Sequence, residues 1–215
     1  MLTLVIANRN YSSWSLRPWL ALKQAGIPFR EQRIPLGGAR TRDEILGVSP
    51  SGRLPVLLDG SLAVWDSLAI CEYLAERRPA LWPGDAPARA VARSISAEMH
   101  SGFTALRANM PMNCRAVVPG AGRAPEVERD IARILEIWEG CRGRHRASGP
   151  FLFGAFSIAD AMYAPVVWRF RTYAVELPPA CAAYSEAMQR LPAMQEWLEA
   201  ARAETEVLPQ YETAV

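Results

Sequence analysis

Leu2 to Ala7 is an unbroken apolar run rich in β-forming residues, the pattern of a buried strand. The polar stretch Asn8-Arg9-Asn10-Tyr11-Ser12-Ser13 then reads as a turn. From Trp14 to Ala25, Leu16, Trp19, Leu20 and Leu22 recur at helical spacing, and Gly26 and Pro28 end the element. Pro18 is tolerated only near a helix's first turn, which puts the start close to Ser13–Ser15. Phe29 to Ile34 predicts a second strand, Leu36-Gly37-Gly38 opens a loop, and a short helix fits Thr41–Leu46. Leu54–Leu58 and Leu62–Trp65 flank Asp59-Gly60-Ser61, a strong hairpin signal. Asp66-Ser67 caps a helix with Leu68, Cys71 and Leu74 on its apolar face, ending before Pro79.

Strand, helix, strand, helix, hairpin and helix, within residues 1–79, is a thioredoxin-like α/β pattern. Residues 80–87 close a segment rich in proline and glycine and read as a linker. From 88 to 215 no convincing strand appears, so this part is expected to be an all-helical domain. Ala88–Asn109 and Pro125–Arg146 read as long helices, the second with Val127, Ile131, Ile134, Leu135 and Trp138 on one face. Ile158–Phe170 is apolar almost all round and should be a buried central helix. Pro179–Arg190 and Pro192–Ala203 supply two more.

Composition narrows the classes. Half of the 215 residues are hydrophobic and 21% are charged, ordinary for a globular protein that needs no disulfide or metal to hold its core. A net charge of +2 gives no reason to expect a nucleic-acid surface. Cys71, Cys114, Cys141 and Cys181 are scattered, without a CxxC pair, and His100 and His145 are isolated, so no metal site is expected. Scattered cysteines fit a reducing compartment. The N-terminus lacks a signal-peptide pattern, and no apolar run approaches a membrane span. The expectation is a cytoplasmic protein.

Three segments carry a resemblance. They are Tyr11-Ser12-Ser13-Trp14-Ser15-Leu16-Arg17, then Arg53-Leu54-Pro55-Val56-Leu57 with Asp66-Ser67-Leu68-Ala69-Ile70, and Gly154-Ala155-Phe156-Ser157-Ile158-Ala159-Asp160. Together, over essentially the whole chain, they resemble the cytosolic glutathione transferases, nearest to the serine-type zeta and tau classes. The resemblance implies the glutathione transferase fold, glutathione as co-substrate without a metal, and a homodimer. It implies that the bond before Pro55 is cis, presenting the Leu54 backbone to the cysteinyl unit of glutathione in strand-like fashion. It also implies that Ser67 receives the γ-glutamyl carboxylate at a helix N-terminus while Asp66 offsets the γ-glutamyl ammonium. Ser157-x-x-Asp160 reads as a capping box with a structural role.

A free thiol has a pKa near ~8.5, and a hydroxyl donating to sulfur beside a helix N-terminus lowers it. Ser12 aligns with the sulfur-facing residue of the serine-type classes, Ser13 is the second candidate, Ser15 reads as a cap, and Tyr11 stands slightly early. No cysteine stands at this site, which argues against thiol–disulfide exchange. Arg53, then Arg40, with Arg42 nearby, are candidates for the glycine carboxylate. Trp14, Met110, Met112, Tyr163 and Trp168 are candidates for an apolar second-substrate pocket. The zeta-class isomerases usually show Ser-Ser-Cys where this chain has Ser12-Ser13-Trp14. They also carry a core-helix arginine that falls near Thr172, beside Arg171. The resemblance implies conjugation of glutathione to small hydrophobic electrophiles. A maleylacetoacetate-type isomerase and a non-catalytic binding member are the alternatives.

Overall fold

The computed structural model describes residues 1–212, so the last three residues of the expected helical part lie outside it. Strands β1 (Leu2–Ile6), β2 (Phe29–Arg33), β3 (Val56–Asp59) and β4 (Leu62–Trp65) form one sheet in the order β2-β1-β3-β4. β1 runs parallel to β2, with Leu2 opposite Phe29, and antiparallel to β3, with Leu4 opposite Leu57. The Asp59–Leu62 hairpin turns through Gly60 at φ +60, where a side chain would be strained. Central β1 is almost wholly buried, as its apolar run requires, whereas edge strand β2 (FREQR) is mostly exposed.

Helices α1 (Ser13–Gln24) and α3 (Ser67–Arg77) cover one face of the sheet, and their buried side chains join a core that continues into the helical half. Short α2 (Thr41–Leu46) is close to the other face, where Val5, Ile34, Ile45 and Val56 form a smaller core. The helical half comprises α4 (Ala86–Ser101), α5 (Thr104–Asn109), α6 (Pro125–His145), α7 (Ile158–Thr172), α8 (Pro179–Gln189) and α9 (Pro192–Ala203). α1 packs against α7, and Trp19 meets Trp197 of α9 edge-on with ring centroids 5.1 Å apart. These contacts bury the inner faces of both halves in one continuous core.

Three local features differ from the sequence expectation. The helix expected over 88–109 starts at Ala86 and breaks at Gly102-Phe103, where Gly102 is extended and Phe103 turns left-handed at φ +56 with its side chain buried. The break leaves carbonyls at the end of α4 without helical partners, and Arg107 reaches back to those of Met99 and His100. Pro18 lies in the second turn of α1 rather than the first, so one helical hydrogen bond is absent there. The linker expected over 80–87 is shorter, because a 3-10 turn covers Pro79–Leu81 and the next helix already begins at Ala86.

Asp160 caps α7 as the spacing predicts. Its carboxylate accepts from the Ser157 N–H (2.8 Å), the Ser157 hydroxyl (3.0 Å) and the Leu152 N–H (3.0 Å). Burial pushes its pKa up to about 6 against those hydrogen bonds.

Candidate active site

The β1–α1 loop is clamped from the helical half, which fixes its serines. Buried Glu204, just past α9, accepts the N–H groups of Arg9 (2.7 Å) and Asn10 (3.1 Å). The Asn10 side-chain amide donates to Asn113 (2.9 Å), and its oxygen accepts the Arg115 N–H (3.0 Å). Tyr11 is spent in the same clamp: its phenol bonds Glu212 and accepts from Arg115, and its ring stacks on Tyr211.

Ser12, not Ser15, is the N-cap of α1. Its hydroxyl donates to the Ser15 hydroxyl (2.8 Å) and accepts the Ser15 N–H (3.3 Å). Ser15 is fully buried and accepts the Ala7 N–H at 3.1 Å. Ser13 is placed differently: its hydroxyl accepts from Arg169 of α7 at 3.4 Å, which leaves its own proton available to a ligand.

Two cavities meet here, sharing Trp14, Arg53 and Leu54. The first, of about 510 Å³, is lined by Ser51, Pro55, Trp65, Asp66, Ser67 and His100 besides the shared three. The Leu54–Pro55 peptide is cis. Asp66 is the N-cap of α3, accepting the N–H groups of Leu68 (2.9 Å) and Ala69 (3.3 Å). It does so at φ 74 and ψ 133, a region nearly reserved for glycine and therefore a point of backbone strain. Ser67 follows at the first position of α3, buried, with its hydroxyl 3.5 Å from the Arg17 guanidinium. The Asp66 carboxylate and Ser67 at the positive end of α3 thus stand side by side in the cavity wall, a cradle for a group carrying both an ammonium and a carboxylate. His100 closes this cavity 3.1 Å from Asp66. Burial lowers its pKa, and the opposing pull of Asp66 does not compensate.

The second cavity, of about 450 Å³, is lined by Ser12, Ser13, Met112, Arg107, Arg169 and Tyr211, among others. The structure therefore brings Ser12, Ser13, Arg53, Leu54, Pro55, Asp66 and Ser67 to one composite pocket. Arg40 and Arg42 are not brought there. Both are exposed, with Arg40 3.9 Å from Glu44 along α2, and the side chain of Arg40 is left 87% exposed to water. Of the apolar candidates, Trp14 and Met112 line the pocket. Met110, Tyr163 and Trp168 are core residues, the Tyr163 hydroxyl donating to the Ile95 carbonyl. Thr172 is buried, donating to the Asn113 carbonyl at 2.9 Å, and Arg171 lies over Trp168 away from the cavities.

Comparison with known proteins fits this geometry. The glutathione S-transferase N-terminal domain family matches residues 11–77, and the glutathione S-transferase C-terminal domain family matches residues 121–200. A mouse maleylacetoacetate isomerase is 38% identical over 178 residues, covering 80% of this chain and 79% of its own. The rat protein of the same name is 31% identical over 180 residues with the same coverage. The chain belongs to the glutathione S-transferase family. A solved glutathione transferase homologue from Burkholderia (strain BGR1), with bound glutathione, superposes at a TM-score of 0.72 with 24% identity, covering 94% of this chain and 99% of its own. The glutathione S-transferase fold is thus shared throughout, and glutathione is the co-substrate of the family.

Three pocket residues escape a motif reading of a glutathione S-transferase: His100, Arg107 and Arg169. A signal existed for the last, since Arg169 is the first charge after Asp160 in an otherwise apolar helix. All four cysteines are buried, and burial pushes their thiols up to about 12 at Cys71 and Cys114 and about 11 at Cys141 and Cys181. None lines the pocket. Among the described residues, no helix is long and apolar enough to cross a membrane.

Proposed function

We propose that this protein conjugates the glutathione thiolate to small electrophiles, binding the tripeptide in the first cavity and the electrophile in the second. One observation carries the reading: the helix-capping pair Asp66-Ser67 and the hydroxyls of Ser12 and Ser13 open onto adjoining cavities that share the Leu54 backbone. A peptide extended along Leu54 places its γ-glutamyl end at Asp66-Ser67 and its sulfur at the serines. Arg53, exposed at the rim and shared by both cavities, is placed for the glycine carboxylate.

Ser13 is the hydroxyl that meets the sulfur. The Ser12 proton is committed to Ser15, whereas Ser13 accepts from cationic Arg169, which makes its hydroxyl a better donor. The thiol loses its proton to solvent, the sulfur forms a bond to the electrophilic carbon, and the leaving group departs with its electron pair. Lowering the thiol pKa by about two units needs about 2.7 kcal/mol of thiolate stabilisation, which one such hydrogen bond and the α1 N-terminus can supply.

The alternative within the same site is isomerisation, in which the sulfur adds to a conjugated carbon and leaves again after bond rotation. The named activity of the mouse and rat relatives favours it. A homodimer is part of the proposal, with exposed Leu62 and Trp65 on edge strand β4 as apolar surface for it. Sedimentation of the purified protein at twice the chain mass supports that part, and a monomer refutes it.

The deciding test is the ultraviolet absorbance of bound glutathione thiolate against pH. A depressed pKa in the wild type that returns toward the solution value in Ser13→Ala, and only partly in Ser12→Ala, is expected. An unperturbed pKa in the wild type would sink thiol activation.

A further inference from the structure

His100 belongs to none of the sequence motifs that build the first cavity, yet it closes it. From the last turn of α4 it reaches the start of α3 and puts Nε2 3.1 Å from Asp66 Oδ2. The other carboxylate oxygen, Oδ1, accepts the Leu68 and Ala69 N–H groups. The carboxylate is therefore held at both oxygens, on a residue whose backbone conformation little besides glycine adopts. A carboxylate offers about four acceptor positions, so Oδ2 can still take a donor from a ligand in the cavity.

A neutral imidazole carries one N–H and one acceptor nitrogen. Facing a carboxylate, Nε2 holds the proton, and Nδ1 is left as an acceptor that is buried and meets no donor. Protonation would place a second N–H at Nδ1, buried and without an acceptor. The surroundings also resist the charge. Burial disfavours it most, Arg17 from α1 and Arg107 from α5 repel it, and Asp66 from α3 attracts it. Trp14 of α1 meets the ring edge-on, with centroids 5.3 Å apart. Of the other helices beside α4, α6 pairs its Arg133 with Glu98, and α7 gives the Tyr163 hydroxyl to the Ile95 carbonyl.

We propose that His100 is a positioning residue for the tripeptide and that its charge gates binding. Neutral, it orients the Asp66 carboxylate toward the γ-glutamyl ammonium; protonated, it pairs with that carboxylate and turns the ammonium away. The inference rests on the reading of the first cavity as the glutathione site. A neutral ring donates through Nε2 and adds no charge, so the ammonium meets the full negative charge of Asp66. An imidazolium cancels that charge and stands beside the ammonium as a like charge. By linkage, the tripeptide binds with release of a proton where His100 titrates.

Calorimetry with two thioether ligands tests this. One is S-methylglutathione; the other carries a glutaryl group in place of the γ-glutamyl group and so lacks only the ammonium. Neither has a thiol, so the serines' role toward sulfur does not enter. S-methylglutathione should bind the wild type about threefold to tenfold more weakly at pH 5.0 than at pH 7.5. The glutaryl ligand should bind more weakly at pH 7.5 but lose less than about twofold on acidification. In His100→Gln, whose amide can donate to Asp66 without titrating, S-methylglutathione should lose less than about twofold as well. His100→Ala should weaken it about threefold or more at pH 7.5, and the glutamine variant should recover most of that. An acid loss shared by both ligands in the wild type, which needs no variant, overturns the gating. So does an equal acid loss in the wild type and His100→Gln. An alanine variant as tight as the wild type at pH 7.5 overturns the positioning role. If neither ligand binds the wild type at pH 7.5, the glutathione reading itself falls.

Discussion

The two cavities are built in different ways. The first is drawn almost entirely from Ser51 to Ser67, one stretch of chain with Trp14 and His100 added. The second collects residues from the β1–α1 loop with the first turn of α1, from Leu36 with α2, from the Gly52–Leu54 segment, from α5 and the loop after it, from α7 and from the C-terminal segment. A site written in one segment depends on local conformation: a helix cap, a turn, a strand end. A site gathered from six places depends on the packing of α1 against α7 and on the clamp through Glu204. The first should tolerate loosening of the helical half, and the second should not.

The largest expected effect tests that dependence. Asp160→Ala strips acceptors from Leu152 N–H, Ser157 N–H and the Ser157 hydroxyl, all buried. It should cost about 2–4 kcal/mol of stability, because unsatisfied buried donors add to the lost cap. Thermal melts would show this as a lower midpoint. α7 carries Arg169, so turnover per folded molecule should fall before glutathione affinity does. Parallel losses of both would mean that the cavities are not separable.

Next comes Ser13→Ala, which removes the hydroxyl proposed as the donor to sulfur. At pH values below the bound thiol pKa, turnover should fall by up to about two orders of magnitude, matching two lost pKa units, with glutathione affinity little changed. Asp66→Ala should behave oppositely. It weakens glutathione by about tenfold through the lost carboxylate, destabilises α3 by about 0.5–2 kcal/mol through the lost cap, and leaves the thiol pKa in place. Ser12→Ala should cost about 1 kcal/mol of stability, read by denaturant midpoint, through the cap of α1. If Ser12→Ala instead abolishes turnover and Ser13→Ala does not, the hydroxyl assignments exchange.

The contrast between the cavities also explains what could be read from the chain. Asp66-Ser67, Leu54-Pro55 and the Ser157/Asp160 box are local devices with fixed spacings, and the order of strands and helices follows from apolar periodicity. Arg107 could not be found that way. It reaches the pocket because α4 stops at Gly102 and Phe103 turns left-handed, and periodicity alone carries the helix through that point. His100 looks isolated in sequence because its partner Asp66 is brought near only when α4 packs beside α3. Arg40 stands in a plausible loop, yet α2 turns it to water. The proton of Ser12 depends on Ser15, a question of side-chain geometry that a serine-rich turn leaves open.

His100 offers the smallest and most specific test of the first cavity. Its pKa lies below the ordinary 6.5 because burial outweighs the attraction of Asp66. Above pH 6.5 the imidazole is neutral in folded and unfolded chains alike, and its contribution to stability is fully present. As pH falls through about 6.5 the unfolded chain takes up the proton first, so stability is lost until the folded value is passed. Urea midpoints at pH 7.5 and 5.5 should therefore differ less in His100→Gln than in the wild type. The half-exposed position of the ring keeps the difference small. A larger pH dependence in the variant would show that Asp66 holds the imidazolium, and the first cavity would then present a paired charge to the γ-glutamyl ammonium rather than a free carboxylate.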